Sequence, residues 1–177
     1  MLNVKIKSLL INQSQLMGVD IYGISSRGIP GLEINGLGKR GKLLKEKINF
    51  ITTRYLVTKK NVKRFVISIE SSCAEEKIRE KGLDLEVPII ILYWTLLGVL
   101  PLKNLDECLA LGRISVDFIV SSPNFDEIWN HPDRSSLVKD KILICSELDS
   151  PQDYPRLIMW EDLLKQLQLK MGLPSKD

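Results

Sequence analysis

The sequence predicts a single α/β (α+β) domain in which a mixed sheet packs around a buried central helix. Its 177 residues suit one domain that is large enough to bury a sizeable core. The fourteen residues Val87–Leu100 are apolar on almost every side, which is typical of a helix buried inside a domain. They are too few to span a bilayer, which takes about 20 residues. Segments that alternate apolar and polar residues before and after this run indicate strands.

The first half of the chain alternates between strand signals and turn signals. Four segments with the periodicity of strands are Asn3–Leu10, Gly18–Ile24, Leu32–Asn35 and Val62–Ile69. The polar residues Asn12–Met17 and the Gly/Pro-rich residues Gly28–Gly31 predict turns. After a Gly-rich stretch, Lys42–Thr52 has the apolar spacing of a helix.

The central helix has start and stop signals of its own. Pro88 suits the first helical turn, because an N–H at that position would have no partner within the helix. Gly98 and Pro101 are typical of a helix end. The polar residues Ser71–Lys81 that precede the helix predict a loop containing a short helix.

Beyond Pro101 the pattern predicts further helices and strands separated by one polar loop. The predicted helices are Leu102–Leu111 and Met159–Met171, and the predicted strands are Gly112–Val120 and Lys141–Cys145. The polar residues Ser121–Asp140 predict a loop with one turn of helix at Phe125–Trp129. Because no repeat or linker interrupts the chain, residues 1–171 are expected to form one domain, and residues 172–177 a C-terminal tail.

Positive charge is concentrated in residues 39–64, which carry ten Lys or Arg residues against the single acid Glu46. Residues 65–177 carry a net charge of −7, so the part of the chain that follows this basic segment is acidic. Such a segment suits nucleic acid or an acidic partner protein, and the remaining interpretation is a solvated surface. The candidate nucleic-acid-binding residues are Lys39, Arg40, Lys42, Lys45, Lys59, Lys60, Lys63 and Arg64. The i, i+3 spacing places Lys39, Lys42 and Lys45 on one helix face.

The Gly-rich stretch has the letters of a GxGxxG phosphate-binding motif, at Gly36, Gly38 and Gly41. The segment that precedes the motif, Leu32–Asn35, does not resemble a fully buried parallel strand, because Glu33 is charged. It also departs from the Walker pattern, since Leu43 stands where that pattern has Ser or Thr. A tight structural turn is therefore the favoured interpretation.

Histidine and cysteine supply no recognisable catalytic or metal-binding set. The single histidine, His131, lies in a polar, Pro-flanked segment and would have to carry any triad alone. Cys73, Cys108 and Cys145 lack the spacing of a zinc site or of a disulfide framework. Reduced thiols in a cytoplasm are the simplest interpretation.

A Ser–Lys dyad is a further alternative, because Ser71 or Ser72 lies near Lys77 and Lys81 in the sequence. A polar loop is the simpler interpretation of these residues, and we expect no catalytic residue, no metal and no cofactor. The N-terminal segment lacks the long apolar stretch of a signal peptide, and no segment has the pattern of a membrane span. We therefore expect a cytoplasmic protein without membrane contact.

Four stretches in order resemble the Mg-chelatase-like protein family (ComM/YifB). Residues 28–39, Gly-Ile-Pro-Gly-Leu-Glu-Ile-Asn-Gly-Leu-Gly-Lys, are similar to the GLPxFxIVGLPD signature of that family, and a basic helix follows. Residues 82–101 resemble GSGFDLPIAIGILAASGQIP, with equal length from Pro88 to Pro101. Residues 111–117 resemble GELSLDG, and residues 141–147 resemble LIVPEEN.

The resemblance implies the N-terminal ChlI-type domain of that family, whose fold is shared with the Lon protease domain and with the second domain of a small-subunit ribosomal protein. In the family this domain precedes an AAA+ ATPase module, and the proteins are linked to DNA processing during transformation. Lon relatives use a Ser–Lys dyad whose Ser starts the central helix, where this chain has Leu85, Glu86 and Val87. Lys39 also replaces the acid of GLPD, and Phe118 the Gly after GELSLD. The resemblance thus implies a diverged, free-standing copy.

Three hypotheses for function follow. The first is a non-enzymatic accessory or scaffold domain for nucleic-acid processing, which acts with an AAA+ ATPase partner in trans or as a homo-oligomer. The second is a protein-interaction domain whose basic segment docks an acidic partner. The third is a Lon-type Ser–Lys hydrolase that uses Ser71 or Ser72.

Overall fold

A seven-stranded mixed sheet organises the chain, and the computed structural model describes residues 2–56, 63–71, 84–100 and 102–171. The strands are β1 (Leu2–Asn12), β2 (Gln15–Ser26), β3 (Gly31–Asn35), β4 (Arg64–Ser71), β5 (Cys108–Ala110), β6 (Arg113–Ile114), β7 (Val120–Ser121), β8 (Ile142–Cys145) and β9 (Leu157–Met159). The helices are α1 (Lys39–Tyr55), α2 (Glu86–Leu96), α3 (Phe125–Trp129), α4 (Arg134–Val138) and α5 (Trp160–Met171). The order in the large sheet is β3-β4-β2-β1-β5-β8-β9, and β6 pairs with β7 in a separate hairpin. The predicted α/β fold with a mixed sheet is confirmed.

The centre of the sheet is a long antiparallel hairpin of β1 and β2. Its two turn residues, Gln13 and Ser14, have φ angles of 47° and 64°, as in the type I′ turn whose twist matches that of the flanking strands. The turn predicted over Asn12–Met17 is therefore wrong in length, because β2 begins already at Gln15. Parallel pairs lie on both sides of the hairpin: β3 with β4 on one side, and β1, β5, β8 and β9 on the other.

The predicted buried central helix is confirmed as α2, in which every residue except Thr95 is buried. Pro88 lies in its first turn, and Gly98, with a φ angle of 74°, turns the chain away after its end. The helix lies close against β2 at Gly23, where a Cβ atom would overlap the side chain of Leu92. Such a close approach explains why a residue without a side chain is needed in this strand.

The two faces of the sheet are covered differently. Helices α1, α2 and α5 pack on one face, where the stacked rings of Trp94 and Trp160, 5.9 Å between centroids, join α2 to α5. Helices α3 and α4 pack on the opposite face, against side chains of β1, β5 and β8 that include Leu9, Leu109 and Leu143. Because β1, β5 and β8 are covered on both faces, they are rich in apolar residues at successive positions, as parallel strands usually are.

Two predictions in the second half are wrong. Leu102–Leu111, predicted as a helix, contains a 3-10 turn at Leu105–Glu107 followed by β5. Successive residues of β5 pack into the hydrophobic cores on opposite faces of the sheet. Because all of them are apolar, this short run has no periodicity that would distinguish a strand from a helix. Gly112–Val120, predicted as one strand, folds back as the β6–β7 hairpin, in which Phe118 has a φ angle of 68°.

The remaining predictions differ mostly in extent. The helical turn at Phe125–Trp129 is confirmed as α3, and the loop around it also contains α4. The last helix begins at Trp160, because the residues before it form β9, which was not predicted. Most of the polar stretch Ser71–Lys81 and all of the tail, residues 172–177, lie outside the described residues.

Candidate nucleic-acid interface

The Gly-rich turn between β3 and α1 holds the helix against the sheet. Gly36 has a φ angle of 98°, and a Cβ atom there would lie 3.1 Å from Cβ of Ile69. A Cβ atom at Gly41 would lie 2.9 Å from the backbone oxygen of Ile34, closer than such atoms approach in proteins. Both glycines thus have a packing role, which supports the interpretation of this stretch as a structural turn.

The first turn of α1 carries positive charge where a helix favours negative charge. Lys39 and Lys42 are exposed, and neither forms an ion pair with any described residue. The turn contains no acid, and Gly38, the N-cap residue, supplies no side-chain hydrogen bond. Because the helix dipole is positive at this end, each misplaced cation costs the helix about 0.3–1 kcal/mol. The arrangement is unfavourable for folding and favourable for binding an anion.

The eight candidate cations do not form one patch. Lys39, Arg40, Lys42 and Lys45 lie on the first two turns of α1. Lys63 and Arg64 instead begin β4 beside Gly31 at the start of β3, whereas α1 follows the end of β3. The 17 residues of α1 extend over about 25 Å, so the first turn of α1 lies at the opposite end of this β–α–β unit from Lys63 and Arg64. Lys45, in the second turn, is near enough to Glu33 for its charge to act on that carboxylate. Lys59 and Lys60 lie outside the described residues.

Arg64 forms a two-point ion pair on the sheet surface. Its Nε and Nη2 atoms donate to the two carboxylate oxygens of Glu33 at 3.0 and 2.8 Å. These hydrogen bonds lower the pKa of Glu33, with a smaller contribution from the charge of Lys45, and they raise the pKa of Arg64. Both side chains are well exposed, so the pair adds little to stability. Its geometry nevertheless holds Arg64 toward its own sheet, away from the first turn of α1.

One cation of the basic segment has a structural role that the sequence did not reveal. Lys47 donates from Nζ to Oε2 of Glu86 at 2.6 Å, and Glu86 is only 4% exposed. The same carboxylate oxygen accepts a hydrogen bond from the backbone N–H of Ile114 at 3.0 Å. A carboxylate at the start of an otherwise apolar buried helix needs such partners. That requirement was the only signal in the sequence that a nearby cation would turn inward.

A second buried carboxylate lies at the same place. Asp84 accepts from Nε of Arg113 at 2.8 Å and from Nδ2 of Asn124 at 3.2 Å. Its backbone oxygen accepts from the N–H of Gly112. The start of α2 is thereby tied to the β6–β7 hairpin and to the residue before α3. Both carboxylates are paired with cations, so their chemistry here is that of structural ion pairs.

The Ser–Lys alternative stays a prediction. Ser71 is the last residue of β4, whereas Ser72, Lys77 and Lys81 lie outside the described residues. The described residues at the start of α2, where the resemblance places a Ser in Lon relatives, are Asp84, Leu85 and Glu86.

The described cysteines and the histidine are structural. Burial raises the pKa of Cys108 to about 11, with help from the charges of Glu107 and Asp106, and that of Cys145 to about 12. Such thiols are poor nucleophiles at neutral pH. His131 contacts the backbone oxygen of Ser14 through Nε2 at 3.0 Å and accepts from the N–H of Asp133 at Nδ1. It therefore links the β1–β2 turn to the segment before α4.

No group of three or more His, Cys, Asp or Glu side chains among the described residues has the arrangement of a metal site. None of the described helices has the length and apolar character that a membrane span requires. Cys73 lies outside the described residues.

Compared with known proteins, the chain matches no protein-family model, and no curated protein is significantly similar to it.

Proposed function

We propose that this domain is a non-enzymatic accessory module that binds nucleic acid through the basic face of α1, formed by Lys39, Arg40, Lys42 and Lys45. The observation that carries the proposal is the pair Lys39 and Lys42, exposed in the first helical turn without an ion-pair partner among the described residues. A helix that accepts unfavourable charges in its first turn breaks a local stability rule, and such exceptions tend to lie at functional sites.

Phosphate is the ligand that this surface suits best. Lysine side chains and the N–H groups of a helix N-terminus both attract phosphate oxygens, and neither of them reads base sequence. We therefore expect binding that depends on charge and salt but little on sequence. The second cationic group, which includes Lys63, lies at the far end of the same β–α–β unit and would extend the contact along a backbone.

A relation to the Mg-chelatase-like family (ComM/YifB) rests on the resemblance of four stretches of the sequence. Those stretches contain the Gly-rich turn before the basic helix α1, the Pro-containing helix α2, the first strand of the β6–β7 hairpin and the parallel strand β8. On that basis we propose a diverged ChlI-type domain that works in DNA processing in a cytoplasm, with an AAA+ ATPase partner in trans.

The test is binding to fluorescently labelled single- and double-stranded DNA across a salt series, measured by anisotropy. Each phosphate contact contributes about 0.9 to the slope of log K against log salt on duplex DNA. The variant Lys39→Glu/Lys42→Glu/Lys45→Glu should bind more weakly than the wild type, most of all at low salt, and with a smaller slope. Its matched control is Lys139→Glu/Lys165→Glu, which changes two exposed lysines away from α1 and should keep most of the affinity. Equal loss in both variants would contradict the assignment to α1.

Docking of an acidic protein is the second candidate function, because α1 also exposes apolar side chains. Leu43 is 65% exposed and Phe50 is 50% exposed, and an apolar residue among cations suits a protein surface better than a phosphate backbone. No DNA binding at low salt, together with saturable and salt-sensitive binding to an acidic protein such as a purified AAA+ partner, would favour this alternative.

A further inference from the structure

An open cleft of about 440 Å³ lies where the chain leaves β8 and where it enters α3. Its wall combines apolar and acidic side chains, among them Pro123, Phe125, Asp126, Trp129, Leu148 and Asp149. The rings of Phe125 and Trp129 stack in parallel, 5.4 Å between centroids, and the guanidinium of Arg134 lies 4.4 Å from the ring centre of Trp129. Leu148 is 88% exposed, so an apolar side chain at the rim has no cover in the described structure.

The acidic groups of this cleft are available to a cation. Asp149 is held in place because its Oδ2 atom accepts from the N–H of Ser122 at 2.9 Å and from Oγ of Ser146 at 3.2 Å. Asp126 is exposed, and neither carboxylate forms an ion pair with any described residue. Residues 121–162, which surround the cleft in the sequence, hold nine acids against four bases. We call this surface the acidic cleft.

The outward side of α1 has the complementary composition. The helix carries six Lys or Arg residues against one acid, and one of the six, Lys47, turns inward to Glu86. Leu43 and Phe50 are its exposed apolar residues; seven positions apart, they lie about 10 Å from each other along the helix. The guanidinium of Arg54 lies 5.7 Å from the ring centre of Phe50. This outer face of α1 thus presents apolar side chains surrounded by positive charge.

The outer face of α1 cannot reach the acidic cleft of its own molecule. Helix α1 packs beside β3 at one edge of the sheet, whereas the cleft begins at the end of β8, five strand positions away. At about 4.8 Å per strand this separation is about 24 Å. Helix α3, which lines the cleft, also packs on the face of the sheet opposite to α1. Any contact between the two surfaces therefore joins different molecules.

We infer that the outer face of α1 of one copy docks into the acidic cleft of a second copy. Opposite net charges would steer the two surfaces together, and an apolar side chain of α1 would cover Leu148, the exposed apolar residue at the rim. Since each copy has one surface of each kind, the contact is head-to-tail and builds either a closed ring or an open chain with one free surface at each end. This docking does not depend on whether the chain binds nucleic acid. The further expectation that DNA competes with the acidic cleft for α1 rests on the proposed function as well.

The experiment is sedimentation of the purified chain over a range of concentrations and salt, with two half-surface variants. Lys39→Gln/Lys42→Gln removes charge from α1, and Asp126→Asn/Leu148→Ala alters the cleft. Because all four side chains are exposed, both variants should fold normally, and circular dichroism would verify this. The matched control is Asp106→Asn, an exposed acid just before β5. It lies at the end of the parallel β5–β8 pair opposite to the cleft and four strand positions from β3.

The wild-type chain should form assemblies that grow with concentration and dissociate as salt is raised. Each half-surface variant alone should associate at least tenfold more weakly, because it lacks one of the two surfaces. Mixed in equal amounts, they should form a 1:1 pair of about twice the 20.1 kDa chain mass that grows no further, whereas Asp106→Asn should assemble like the wild type. A monomeric wild-type chain at low salt, or a cleft variant that assembles normally, would overturn the inference.

The same variants separate this inference from the proposed function. Asp126→Asn/Leu148→Ala should lose self-association and keep DNA binding, whereas Lys39→Gln/Lys42→Gln should lose both. Self-association without DNA binding would leave the docking inference standing and refute the proposed function.

Discussion

The ion pair between Lys47 and Glu86 leads to a quantitative prediction for Lys47→Met. The change leaves a carboxylate that is 4% exposed without its cation. Breaking a buried pair in this way typically costs about 3–5 kcal/mol. Glu86 keeps the hydrogen bond from Ile114 and its place at a helix N-terminus, and Lys47 is itself 27% exposed. We therefore expect a loss of about 2–3 kcal/mol in the free energy of unfolding.

The assay is urea unfolding followed by circular dichroism, and a thermal scan should show the melting temperature about 4–12 °C lower. The matched control is Lys42→Met on the same helix, where Lys42 is exposed and unpaired among the described residues. It should not destabilise the chain and should stabilise it by at most about 1 kcal/mol, because a cation unfavourable to the helix dipole is removed. The double variant Lys47→Met/Glu86→Gln should regain at least half of the loss, since no charge is then buried alone. A stable Lys47→Met variant, or a double variant as unstable as the single one, would refute the reasoning.

Three further predictions concern the sheet surface, the core and the thiols. Arg64→Gln should bring the pKa of Glu33 back up toward its ordinary value in an NMR titration, and an unchanged pKa would show that the pair does not form in solution. Because the pKa of Glu33 is lowered in the folded state, the pair stabilises the fold at pH values above the pKa of Glu33 in the unfolded chain. This contribution disappears as the pH falls through the lower pKa of the folded state. Gly23→Ala should cost more than about 2 kcal/mol in urea unfolding, since a Cβ atom overlaps an α2 side chain; a neutral effect would mean that α2 is packed less closely. In a Cys73→Ser background, Cys108 and Cys145, with pKa values near 11 and 12, should react with a thiol reagent at pH 8 only after urea is added. Fast reaction of this folded variant would contradict their burial.

The elements that could be predicted from the sequence are those whose signal is local. Helix α2 was predictable because nearly every position in it is apolar, which leaves burial as the only option. The β6–β7 hairpin was not, because an alternating pattern continues through its turn, and nothing marks Phe118 as a residue with positive φ. The segment around β5 failed for another reason: its apolar residues pack on both faces of the sheet, so they show no alternation.

The candidate site shows the same division between local and long-range information. The basic character of α1 is visible in the sequence, and the structure places four of the eight candidates on its first two turns. The difference between Lys47 and Lys42 is not visible, because the partner of Lys47 is Glu86, 39 positions away. The acidic cleft was missed for this reason too, since Asp126 and Leu148 come from separate segments that only the fold brings together.

The salt dependence of DNA binding, measured with and without charge reversal on α1, decides whether this helix binds nucleic acid. Affinity for labelled DNA should fall steeply with salt, and Lys39→Glu/Lys42→Glu/Lys45→Glu should lower the slope by about 3 on duplex DNA. The same slope in this variant, or no binding by the wild-type protein at low salt, would contradict the claim that the basic face of α1 binds nucleic acid.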